Sequence, residues 1–531
     1  MNKITKRANQ RISLGGAATL LIAVALVGQL LGFLRNRLVS TNITVRDPGS
    51  SDAFFVAFQI PDFFFFTIAA GALGVAFIPV ISDVLQRGDK KKVWELTNSL
   101  LNLMLTVMLG VSIIIFLFAD PLIRYVVGPK LVGTEHFDQA VTIMRILSLN
   151  PLLFTLSGIL TSVQQSFGRF FFFAISPLFY NLAIIFSIFI FRDTIGVVGL
   201  GIGAFVGAIL QLLVAAFGMK SLGYRYRPKI LWKSEDFKSV LRQLPPRSID
   251  QGMDSITSIV ETNRAVALQV PGAVSYYNFA TTLHNVPIML LGTSIATAAF
   301  PRLTERLSQG RPDLFRRDFL RVLRLMIWLT MPVVVISFFC RGYLARLLFG
   351  DVAPEVALIF GYLTVAIFFR IIYSIVSRYF YAQKDTITPL LVSMFAIALN
   401  IYLAFNLAHP DSYGIAGLAL AQSFVAVAEV AVLFGVMVMR DNKLIDADFW
   451  GGITKILSVT GFSILTAFTM ISVLPLRITD EGFVTLSSKL GIIAGATILV
   501  HVIISAVFGL EEVKPVLRKA RDIILKPIRA Q

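Results

Sequence analysis

Apolar stretches of roughly twenty residues recur about fourteen times along this chain, separated by short polar connectors. A helix rising about 1.5 Å per residue crosses the ~30 Å hydrocarbon core of a bilayer in that length. The cores lie at 15–34, 53–82, 96–118, 140–163, 170–191, 196–218, 245–267, 275–300, 318–340, 356–377, 387–408, 414–438, 453–474 and 486–509. In hydrocarbon each backbone amide must bond within the chain, so the expected fold class is an all-α polytopic membrane protein. Lys3, Lys6, Arg7 and Arg11 precede the first stretch in the manner of a signal peptide. That stretch is long enough to span and no small-residue cleavage site follows it, so it reads as a retained span.

Composition agrees: 56% of residues are hydrophobic and 15% charged, well below the quarter usual in soluble domains. The net charge of +17 forms no separate basic domain, which argues against nucleic acid. Lys and Arg instead fill alternate loops, at the N-terminus, 84–95, 219–243, 302–324 and the tail after Gly509. Loops 268–274 and 409–413 have none, although Arg192, Arg341 and Arg346 fall on the sparse side. The bias places both termini in the cytoplasm, with anionic membrane lipids as partners. A single cysteine, Cys340, excludes an internal disulfide, and His136, His284, His409 and His501 are too scattered for a local metal pair. No nucleophile setting, phosphate loop or ATPase domain is recognisable, so an enzyme is not expected. Any transport is then driven by sodium, protons, the membrane potential or the substrate itself.

The sequence repeats. AFIPVISDVLQRG (76–88) matches AAFPRLTERLSQG (298–310), with Pro79 lying 222 residues before Pro301. Asn181 precedes Asn400 by 219, and Gly196-Val-Val-Gly199 precedes Gly414-Ile-Ala-Gly417 by 218. Each unit holds six spans, an even number, so the two repeats are parallel and two C-terminal helices are extra. The expected organisation is a lobe over 1–220, a basic cytoplasmic linker over 221–243 and a second lobe over 244–440. Two additional helices (441–510) and a basic tail (511–531) complete it.

Charges inside spans need a partner, water or a function. Span 245–267 holds Arg247, Asp250, Asp254, Glu261 and Arg264, with Asp250, Asp254, Glu261 and Arg264 on one stripe. Two readings stay open: a self-neutralising ladder, or the lining of a cavity that couples an ion. If the helix starts after Pro245-Pro246, Asp254 sits near the midplane and becomes the candidate titrating or cation-binding acid. Arg370 lies midway through its span, while Arg378 reads as a snorkelling anchor. Asn400 is a candidate interhelical hydrogen bonder. Pro287, next to His284 and Asn285, is expected to loosen its helix.

LGFLRNRLVS, SDAFFVAFQIPDF and GALGVAFIPVISDV resemble the opening of the MurJ (MviN) family of lipid II flippases. SVQQSFGRFFFFAISPLFYN, SRYFYAQKDTITPLLVS and YGIAGLALAQS extend the likeness over most of the chain. The resemblance implies a two-lobed bundle with alternating access, related to multidrug (MATE) exporters and polysaccharide flippases. The implied substrate is a lipid-linked oligosaccharide diphosphate, a peptidoglycan precursor, in the bacterial cytoplasmic membrane. Arg35 and Asp52 match charged family positions, with Asp52 a candidate acid to position Arg35; Arg37 and Arg370 are further candidates for the diphosphate. Asn36 replaces a frequent acid, Gln29, Phe65 and Thr282 stand where many members have cavity arginines, and Asn285 where an acid is common. A MATE-like cation-coupled exporter and a non-transporting scaffold that recruits cell-wall synthesis proteins remain alternatives.

Overall fold

The computed structural model describes residues 14–70, 77–220, 222–480 and 482–518, with side chains throughout these except at 14–19, 70 and 243–251. Regular structure among them is entirely helical. The chain divides into two compact units, one ending at Ser275 and one starting at Tyr276.

The first unit contains α1 (Leu14–Val39), α2 (Pro48–Phe64), α3 (Ile78–Gln86), α4 (Lys90–Leu122), α5 (Glu135–Leu147), α6 (Asn150–Ser166), α7 (Phe171–Phe191), α8 (Val197–Lys220) and α9 (Glu235–Ala267). After α10 (Ala273–Pro287), which begins at the boundary, the second has α11 (Ser294–Ser308), α12 (Pro312–Phe339), α13 (Arg341–Phe349), α14 (Ala353–Ala382), α15 (Ile387–Leu407) and α16 (Ala416–Arg440). The pair beyond the repeat, α17 (Ala447–Val473) and α18 (Phe483–Val507), packs on α12. There Trp328 Nε1 donates to Ser505 Oγ at 2.8 Å within a cluster with Ile456 and Val459.

Among the described residues thirteen helical segments are long and apolar enough to cross a membrane. The expected span 245–267 is not one of them, because Asp254, Glu261 and Arg264 load it with charge. Its helix also starts earlier than the diproline suggests. The Ser234 hydroxyl caps the amide of Phe237, Glu235 and Asp236 favour the positive N-terminal end, and the helix runs through Pro245-Pro246. Asp254 therefore lies about 29 Å along α9 from its start, about twice the distance that a start at the diproline would give.

Prolines shape both second spans. Pro61 lies inside α2, and residues 65–70 after it wind as a π-helix; α10 ends at Pro287, and 288–293 do the same. A proline lacks the amide hydrogen for the α-helical ladder, and wider winding follows the break. The repeat is visible again at the close approaches of paired helices. A Cβ on Gly199 would stand 2.1 Å from Phe191 Cβ, and one on Gly417 would stand 2.1 Å from the Leu407 carbonyl oxygen. Gly199, Gly203 and Gly207 form a one-residue-in-four stripe along α8, on which α7 rests. Without a hydrophobic drive between helices in lipid, such backbone contact supplies packing energy. At its far end Gly207 meets the backbone of Tyr180, fixing the height of Tyr180 and Asn181.

Part of the expected basic linker is a fitted strap. Tyr224 OH donates to Asn98 Oδ1 and Tyr226 OH to Asn102 Oδ1, each at 2.6 Å. Asn102 Nδ2 returns a bond to the Arg227 carbonyl at 2.8 Å, and Leu231 N donates to Ser99 Oγ at 3.0 Å. Arg227 N also donates to Asn98 Oδ1 at 3.1 Å, so Asn98, Ser99 and Asn102 of α4 all bond to the backbone of the strap.

Candidate functional site

Arg35 projects from α1 into a setting of neutral oxygens. Its Nε and Nη2 donate to Asn36 Oδ1 at 3.1 and 3.0 Å, and Nη1 donates to Asn181 Oδ1 of α7 at 3.1 Å. A guanidinium has five donors, so one hydrogen on each terminal nitrogen is left without a partner among the described residues. No carboxylate lies within 4 Å of it among those residues. Asp62 of α2 acts on it electrostatically from farther away, as does Tyr180. Asp62 was not among the residues expected from sequence, yet an acid inside an apolar run was a readable signal.

Phe65 stands where the resemblance placed a family arginine. Its ring lies 5.6 Å from Phe154, which lies 5.2 Å from Tyr180, so an aromatic chain ends beside Asn181. Thr282, at another such position, donates to the Asn278 carbonyl of its own helix at 2.8 Å. Arg37 is partly buried one residue beyond Asn36, and its carbonyl accepts from Ser40 Oγ at 2.8 Å and Thr41 Oγ1 at 2.9 Å.

Asp52 does not hold Arg35. Buried at 6% exposure, it accepts from the amides of Gly272 and Ser275, both at 2.8 Å, and from Ser275 Oγ at 2.7 Å. These are the orphan donors at the start of α10, where a carboxylate is favoured by unpaired amides and the helix dipole. The acid expected to position the arginine is instead a cap supplied from α2.

The stripe on α9 is divided by environment. Asp254 is exposed, whereas Glu261 is 7% exposed. Arg264 is partly buried, and the side chains of Arg247 and Asp250 lie outside the described residues. In the second unit Arg370 Nη1 donates to Glu429 Oε2 at 2.7 Å, and Ser393 Oγ donates to Glu429 Oε1 at 3.2 Å. Glu429 is 2% exposed and was not anticipated, although it too is a lone acid in an apolar run. Asn400 is 3% exposed, and its Oδ1 accepts no bond among the described residues. Buried His284 likewise leaves Nε2 without a partner among them.

Comparison with known proteins decides the family. Residues 49–492 match the family model described as lipid II flippase MurJ. The chain belongs to the MurJ family. A relative from Borreliella burgdorferi, named as a probable lipid II flippase MurJ, is 24% identical over 467 residues, covering 86% of this chain and 88% of the relative. Among solved structures, a lipid II flippase MurJ in an inward closed conformation superposes with a TM-score of 0.76 at 21% identity, over 92% of this chain and 98% of that one. An inward-facing multidrug MATE transporter gives 0.67 at 16% identity, over 80% and 98%. These likenesses bear out the all-helical, polytopic fold expected from the sequence; the MATE likeness is one of fold alone.

Proposed function

We propose that this protein flips lipid II, or a closely similar lipid-linked peptidoglycan precursor, from the cytoplasmic to the outer leaflet by alternating access. Membership of the MurJ family supports the substrate class. The observation that carries the reading in this chain is Arg35, an interior arginine held by amide oxygens with donors to spare. Two donors on one planar fork suit two oxygens of a diphosphate, and no carboxylate among the described residues lies within 4 Å to compete for them. Asn36 and Asn181 orient the fork without spending its charge, which compensates in part for Gln29, Phe65 and Thr282 at positions where the resemblance expects cations.

In this reading the membrane is the bacterial cytoplasmic membrane, and the Lys- and Arg-rich loops and both termini face the cytoplasm. A cation gradient or the membrane potential drives the cycle, with Glu261 and Asp254 of α9 as the acids through which an ion acts. The test is depletion in the source cell. Lipid-linked wall precursor should accumulate on the inner leaflet, and re-expression of the wild-type chain should clear it. Drug sensitivity without accumulation would favour an exporter, and a wall defect rescued by the Arg35→Ala variant would favour a scaffold.

A further inference from the structure

At the turn between α11 and α12 three arginines converge on one acid. Asp318, 9% exposed, accepts from Arg302 Nε at 3.0 Å and Arg306 Nε at 3.2 Å on the same oxygen. Arg302 Nη2 and Arg321 Nη1 lie 3.5 and 3.9 Å from the other oxygen. Three cations on one anion leave an excess of two positive charges. The side chains of Arg302 and Arg321 are 61% and 56% exposed, and that of Arg306 is 25% exposed. Arg302 Nη1, both terminal nitrogens of Arg306 and Arg321 Nη2 have no partner among the described residues.

The fold does not require this cluster, because the repeat builds the same turn without it. In the first unit α3 and α4 meet at Gly88 (φ 80°), as α11 and α12 meet at Gly310 (φ 68°), and Pro79 and Pro301 fix the register. At the shift of 222, Arg302, Arg306, Asp318 and Arg321 correspond to Val80, Val84, Leu96 and Ser99. Val84 and Leu96 are 1% and 3% exposed in an apolar cluster that Val80 joins. Apolar contact therefore suffices to close the turn, while burying Asp318 carries a desolvation cost that packing does not explain. What Asp318 does provide is order: it gathers three forks into one patch and leaves their outer donors facing outward.

The patch lies where the candidate spans Ala273–Ser308 and Pro312–Phe339 adjoin, hence at the level of a membrane–water boundary. We infer that Arg302, Arg306 and Arg321, organised by Asp318, bind the phosphate of an anionic phospholipid headgroup from the surrounding leaflet. Planar guanidinium forks match phosphate oxygens, the charge excess selects anionic over zwitterionic heads, and such heads are always present at this depth.

The experiment uses the full chain in detergent, with thermal unfolding read in mixed micelles of phosphatidylcholine with or without phosphatidylglycerol. A ligand that binds only the folded state raises the midpoint. Phosphatidylglycerol should stabilise the wild type, and apparent affinity from its titration should fall roughly fivefold for each arginine removed in Arg302→Gln/Arg306→Gln/Arg321→Gln. The double variant Arg302→Gln/Arg321→Gln alters only the two exposed side chains, guards against misfolding and should show an intermediate loss. Arg225→Gln/Arg227→Gln/Lys229→Gln, which removes the same charge from the strap, should keep the wild-type affinity. Unchanged affinity in the Asp318-cluster variants, or equal loss in the strap variant, would overturn the assignment. So would stabilisation by pyrophosphate alone that disappears with the cluster while the phosphatidylglycerol effect persists, since the site would then serve a soluble diphosphate.

Discussion

Arg35 in the first unit and Arg370 in the second are both partly buried arginines on membrane-spanning helices, yet they are held by partners of different charge. Arg35 meets two amide oxygens; Arg370 meets Glu429, a carboxylate with almost no exposure. An amide fixes the direction of a guanidinium and leaves its charge in place, whereas a carboxylate removes both charges from the surroundings. The difference separates an arginine prepared for an anionic ligand from one that ties α14 to α16. Arginines inside spans thus cannot be equated by depth alone.

The largest expected effect follows from deleting the amide-held cation. Arg35→Ala should lower lipid II translocation ten- to hundredfold, the equivalent of one or two charge-assisted hydrogen bonds, with little change in thermal midpoint. Arg35→Lys should recover only part, because an ammonium cannot present a fork. Asn181→Asp sharpens the comparison further by giving Arg35 the kind of partner Arg370 already has. It should reduce apparent affinity for lipid II about tenfold while preserving or raising thermal stability; unaltered affinity would mean that the charge of Arg35 is not what the ligand reads.

In the second unit the ranking of effects reverses. Glu429→Gln leaves Arg370 in a largely buried setting without its counter-ion and should cost about 3 kcal/mol, read as a lower unfolding midpoint. Adding Arg370→Gln should restore much of that loss, and translocation per folded molecule should change less than in Asn181→Asp. If Glu429→Gln were neutral for folding and lethal for transport, the contrast between the two arginines would fail.

The smallest effect concerns a loop acid with several partners. Asp385 accepts from the amides of Ile387 and Thr388 at 3.0 Å each, from Thr388 Oγ1 at 2.6 Å and from Arg440 at 2.5 Å. The Thr388 hydroxyl and amide, then Arg440, hold its carboxyl well below the usual carboxylate range. A depressed folded-state value means that the stabilisation is complete above the unfolded value near 4 and is lost as pH falls below it. Asp385→Asn should therefore lower stability by about 1 kcal/mol at neutral pH, with the gap to wild type closing below about pH 4.

Much of the fold was legible because the length of an apolar run is a local signal. The repeat was legible for a similar reason: Gly199 and Gly417 admit no Cβ, so their spacing survives in the sequence. The α9 start was misplaced because Pro245-Pro246 outweighed the quieter cap at Ser234. Site residues were harder to read. Arg35 and Asn181 are 146 positions apart, and nothing local shows that they touch. Asp52 was paired with the wrong partner for the same reason, since its donors at Gly272 and Ser275 are more than two hundred residues away. Asp62 and Glu429 carried a local signal, acids within apolar runs, that the family pattern overshadowed.

The central claim is that Arg35, held by amide oxygens and not by a carboxylate, engages the diphosphate of lipid II during translocation. The most direct measurement reconstitutes wild type, Arg35→Ala and Asn181→Asp in liposomes with fluorescent lipid II and follows its appearance in the opposite leaflet with an impermeant quencher. Rapid translocation by the wild type, near-background rates with Arg35→Ala and an intermediate, substrate-dependent rate with Asn181→Asp are predicted. Equal rates for all three proteins, or no movement of lipid II by the wild type under an imposed ion gradient and membrane potential, would contradict it.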